Sequence, residues 1–171
     1  MSVALLSVVS GTVLFAGFSG CSDETNPRVV TRTNQDAALT GNLPYNPLAW
    51  KVITSWIDKS NSTMSTLYGN DPAVQYARTH TGQDYPAGAV VSLVTWKQQE
   101  DPRWFGGKIP AAAQSVEFVV VSAGADHQAS FTWQKFEGSP LKKISDAEAA
   151  QGPAPVMRAA FLLSQRAAVM P

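Results

Sequence analysis

The chain predicts an α+β fold, a mostly antiparallel β-sheet covered by helices. Three observations carry that prediction. Ala89–Lys97, Ser115–Val121 and Phe131–Phe136 are rich in β-branched and aromatic residues that alternate with the two-residue period of a strand. A long stretch of Pro, Gly and aromatic residues (98–114) separates the first two runs, so they read as neighbouring strands carrying a projecting arm. The last apolar segment, Pro155–Val169, repeats instead at helical spacing.

Taken in order, Trp50–Ile57 and Ser62–Tyr68 are β-prone runs divided by Asp58-Lys59-Ser60-Asn61, which predicts a hairpin. Asn61-Ser62-Thr63 has the form of a glycosylation sequon and is read as turn chemistry. Asn70 or Asp71 can cap a helix that has Pro72 in its first turn and continues through Ala73–His80. In the strand at 89–97, Val90, Ser92, Val94 and Trp96 share one face, while Val91, Leu93, Thr95 and Lys97 share the other. Val116, Phe118 and Val120 lie on one side of the partner strand. Gly138-Ser139-Pro140 ends the third strand, and Ser145 with Glu148 forms a capping box. In the final helix Val156, Ala159, Ala160, Leu163 and Ala167 make the apolar stripe, leaving Arg158, Gln165 and Arg166 off it.

Composition removes several functions. The 171 residues carry 13 Lys plus Arg and 13 Asp plus Glu, for a formal net charge of zero. No basic run offers a nucleic-acid face. Cys21 is the single cysteine, so an intramolecular disulfide, a cysteine zinc cluster and a CxxCH haem attachment are all excluded.

Residues 4–20 form an apolar run of small and aliphatic residues, short for a membrane span and suited to a signal peptide. Met1–Phe15 lacks the Lys or Arg expected of such a segment. Phe18-Ser19-Gly20-Cys21 resembles a bacterial lipobox, which makes Cys21 the expected lipidation site. Ser22 after it is compatible, by the same resemblance, with the outer membrane. Diacyl or triacyl modification would anchor the chain stably. Residues 21–44 are polar and read as a flexible tether, with the folded domain expected over 45–171.

The stretch from Trp50 through Tyr68-Gly69-Asn70-Asp71-Pro72-Ala73-Val74, then Pro86-Ala87-Gly88-Ala89 and Val94-Thr95-Trp96-Lys97, resembles the cytochrome P460 family. Val116-Glu117-Phe118-Val119-Val120 and Phe131-Thr132-Trp133 extend the resemblance, which covers most of residues 46–137. It implies a periplasmic, largely β, homodimeric protein with a c-type haem that oxidises hydroxylamine or binds a small gas such as nitric oxide. Two departures bear on that function. The family's CxxCH near the C-terminus has no counterpart in residues 154–171, which contain neither Cys nor His. The family's haem-crosslinking lysine aligns with Leu93. The resemblance therefore supports the fold and removes a covalent haem.

Other sites are sparse. His80 and His127 are the only histidines and have no metal-ligand spacing, so no metal is expected. No GxSxG elbow is present, and Glu100-Asp101 reads as a solvated pair. Most of the five tryptophans are expected in the core. Trp104-Phe105, flanked by Arg103 and Lys108 on the arm, is expected either to fold back onto its own sheet or to touch a partner protein, a dimer mate or the emptied pocket. Leu93 and Trp96 are the expected contacts on the sheet side.

The expectation is a non-catalytic, haem-free envelope lipoprotein that binds a small ligand or protein partner and uses no cofactor. The alternative is a periplasmic redox or gas-binding protein of the hydroxylamine or nitric oxide type, using a non-covalent cofactor. A purely structural lipoprotein would have the pocket filled by side chains.

Overall fold

The computed structural model describes residues 34–124 and 129–168. The expected signal peptide, Cys21, the tether up to Thr33, His127 and Val169 lie outside them. Six strands form one antiparallel sheet in chain order: β1 (Lys51–Asp58), β2 (Thr63–Gly69), β3 (Val90–Glu100), β4 (Lys108–Ala123), β5 (Ala129–Glu137) and β6 (Lys142–Lys143). Helix α1 (Asp71–Thr79) joins β2 to β3; α2 (Asp146–Ala149) and α3 (Pro155–Leu163) follow the sheet. The predicted alternation of β3 holds. Val91 and Leu93 enter one buried cluster with residues of α1 and α3, and Val90, Val94 and Trp96 enter another on the opposite face.

The helices cover only the first face, so the fold is more sheet-dominated than expected. The second face is covered by Ala37, Leu39, Leu43 and Trp50 from the segment before β1. Trp96 Nε1 donates to the Ala37 carbonyl at 2.9 Å, and Leu141 N donates to Thr40 O at 2.7 Å. The compact unit accordingly begins at Asn34 rather than at Tyr45. Isolated apolar residues escape a periodicity search, yet they suffice where the sheet already presents a flat apolar surface.

Asn70 caps α1 as expected, its Oδ1 accepting from Ala73 N at 3.2 Å. The same oxygen accepts from Val90 N at 3.0 Å, and Nδ2 donates to Gly88 O at 2.8 Å. One side chain thus fixes both the helix start and the entry to β3. The Ser145–Glu148 capping box is also present.

The final helix buries Ala159 and Leu163 as expected but differs in length and in part of its facing. It ends at Leu163, after which Ala168 N donates to Ile53 O at 2.8 Å. A bulge in β1 skips Ile53 in the β1–β2 register and leaves that carbonyl for the tail. Ala159, Leu162 and Leu163 are the buried residues of α3, while Val156 is 65% exposed and Arg158 turns toward the sheet. The cause is a carboxylate on β4.

The arm is also more regular than a loop. The β3–β4 ladder continues past two irregularities near Trp96 through Gln98–Pro110, Gln99–Ile109 and Glu100–Lys108. Only 101–107 remains as the tip. Pro110 sits where the ladder is already irregular, so its missing N–H costs little.

Candidate functional site

Glu117 lies on the face of β4 that α3 covers, directly opposite Leu93 on β3, and is 3% exposed. A carboxylate so placed must find cationic or N–H partners. Arg158 supplies a two-pronged grip: Nε donates to Oε2 at 2.8 Å and Nη2 to Oε1 at 2.7 Å. Trp133 Nε1 on β5 donates to Oε2 at 2.9 Å. The Arg158 guanidinium also stands 5.0 Å from the centre of the Phe161 ring, a cation–π distance. Phe161 in turn meets Trp56 edge-on at 6.3 Å. The ion pair therefore latches α3 over the sheet.

The Glu117–Arg158 pair borders a cavity of about 160 Å³, completed by Lys135, Ile144, Glu148 and the 149–153 turn. This is below the roughly 300–1,000 Å³ of clefts that bury drug-sized ligands. Leu93 is 1% exposed and belongs to the same buried cluster as Leu67, Val119 and Leu162. The position expected to face a vacated pocket is a packed core position.

The expected site residues do not come together. Leu93 and Trp96 are buried on opposite faces of the sheet. Trp96 borders a groove of about 430 Å³ beside Trp56, Met64 and Pro110. Arg103, Trp104 and Phe105 are exposed at the arm tip, Trp104 by 75% and Phe105 by 103% of a free residue's surface. Glu100 pairs with Lys108 at the base of that tip. His80 stacks on Tyr76, with ring centroids 4.4 Å apart, and its Nδ1 lies 2.7 Å from Thr79 Oγ1. Among the described residues, no group of three or more His, Cys, Asp or Glu is placed to hold a metal.

The second groove, of about 840 Å³, runs between the 83–87 loop, the end of β4 and α3. Tyr85 borders it with a buried hydroxyl that has no hydrogen-bond partner. Burial, with Tyr76 alongside, pushes this hydroxyl up to about 12. Folding therefore favours the neutral phenol. That contribution is complete below the unfolded value near 10 and is lost as pH rises toward 12. Tyr85→Phe should flatten the fall in stability over that window and cost little at pH 7, because it removes an unpaired polar group. Alkaline melts of the two proteins check this.

Sequence reasoning missed the Glu117–Arg158–Trp133 constellation. A usable signal was present: Glu117 is a lone charge in SVEFVVV and shares its strand face with the apolar Val119 and Val121. Nothing local identified its partner, which lies 41 residues away.

The architecture defines a class: a sheet-dominated α+β domain whose central meander is closed on one face by a C-terminal helix. The model of one family, Cytochrome P460, matches residues 45–153, and the chain belongs to the cytochrome P460 family. The matched segment includes Leu93, Glu117 and Trp133, whereas Arg158 lies beyond it. No curated protein matches the chain.

The family implies haem, and the residues of this face do not fit it. Leu93 is enclosed by side chains, both oxygens of Glu117 are engaged, and α3 lies directly over them. Covalent attachment through CxxCH would also need thiols, and Cys21 is the sole cysteine.

Proposed function

We propose that this chain is a haem-free, non-catalytic member of the cytochrome P460 family, held in the bacterial envelope by lipid on Cys21. Its contact surface is the Trp104–Phe105 arm rather than the family's haem face. The observation that carries the reading is the closure of the Leu93 face by the Glu117–Arg158 latch. Redox or gas chemistry needs an open coordination position at a cofactor, and the Leu93–Glu117 position, packed under α3, leaves none there. A family-type homodimer on the periplasmic side of the outer membrane belongs to the same reading.

Protein purified from a periplasm that matures c-type haem should be colourless and inert toward hydroxylamine. A Soret band, or turnover of hydroxylamine, would sink the proposal and restore the redox reading.

A further inference from the structure

We infer that the arm tip is a membrane-interface anchor: Trp104 and Phe105 enter the headgroup region of a phospholipid bilayer beside which the chain is tethered. This rests on the envelope-lipoprotein reading and names the partner of its contact surface.

The first observation is the exposure of two adjacent large aromatic side chains on a tip that is held in shape. Asp101 N donates to Gly107 O at 2.9 Å, Gly107 N to Trp104 O at 2.9 Å, and Arg103 N to Asp101 Oδ1 at 2.8 Å. Gly106 adopts φ +76°, a conformation that glycine takes without strain. Presenting the rings thus needs little further ordering of the chain on binding. Trp is enriched at membrane–water interfaces because its ring is apolar and its N–H remains wet. Arg103 beside it suits lipid phosphates, while Lys108 is paired with Glu100.

The second observation is where the chain leaves the domain. Asn34, the first described residue, donates through Nδ2 to the Pro110 carbonyl at 2.5 Å. Pro110 lies on the arm itself, opposite Gln98. From there to Phe105 is five residues, at most roughly 17 Å of chain. Residues 21–33 can span at most about 45 Å. A lipid on Cys21 would therefore hold this end of the domain near the bilayer, with the aromatic tip on the same arm as the attachment. A second aromatic contact would convert a single tether into two linked ones.

The test uses full-length protein as matured by the cell, reconstituted into vesicles of phosphatidylethanolamine and phosphatidylglycerol with brominated acyl chains. Bromolipid should quench a tryptophan component in the native protein that is missing from Trp104→Ser. The Trp104→Ser/Phe105→Ser protein should melt within about 2 °C of the native one, as expected of exposed positions. Equal quenching of native and Trp104→Ser proteins would overturn the inference. So would a large drop in melting temperature, which would make the tip part of the core. A loss of self-association in detergent on substitution would assign the tip to a second copy instead. The mass of the protein reports lipidation separately. Lipidated protein without Trp104 quenching defeats the arm alone; unlipidated protein that still shows it defeats the tether reading alone.

Discussion

Arg158→Ala should destabilise the domain by about 3–5 kcal/mol, because it leaves the Glu117 carboxylate buried without its cation. Trp133 Nε1 would remain as a single neutral donor to a charge that now has three hydrogen bonds from side chains. The substitution also removes the guanidinium from the Phe161 ring and loosens α3. Replacing both partners, as Glu117→Leu with Arg158→Leu, should recover most of the loss, since no unpaired charge then remains. Urea melts of the three variants measure it. A single substitution costing under about 1 kcal/mol would place the pair among exposed ion pairs of little consequence.

Leu93→Ala should cost about 2–5 kcal/mol, the usual range for a leucine truncated within a packed core. Leu93 sits between β2 and β4, opposite Leu67 and Glu117, where neighbouring strands leave little freedom to collapse into the gap. If the residue lined a vacant pocket instead, the truncation would enlarge a space that already existed and the cost would be small. The same melt therefore distinguishes a filled Leu93 face from one with a vacant pocket.

These two positions show how far the chain could be read in advance. The alternation of Val91 and Leu93 against Val90, Val94 and Trp96 was legible, because a strand must send successive side chains to opposite faces. Asn70 before Asp71-Pro72 and the Ser145–Glu148 box were legible because capping is decided within a few residues. The Glu117–Arg158 pair was not, since a salt bridge across 41 residues leaves no local trace. In isolation, Arg158 looks like an ordinary polar residue off an apolar stripe. Ala159 and Leu163 of the expected stripe are buried, but that error put Val156 inside where the helix instead buries Leu162. The covering role of Ala37, Leu39 and Leu43 was hidden because segment 34–44 has no period of its own. The aromatic tip was legible as a projection, though its ladder through Glu100–Lys108 was not.

The native mass of the protein recovered from a periplasm that matures c-type haem tests the closed-face account most directly, since it detects covalent and retained non-covalent haem alike. The account predicts the polypeptide mass, with acyl chains on Cys21 and no haem increment. A species heavier by one haem per chain would mean that the Leu93–Glu117 face opens to admit the cofactor, and would contradict it.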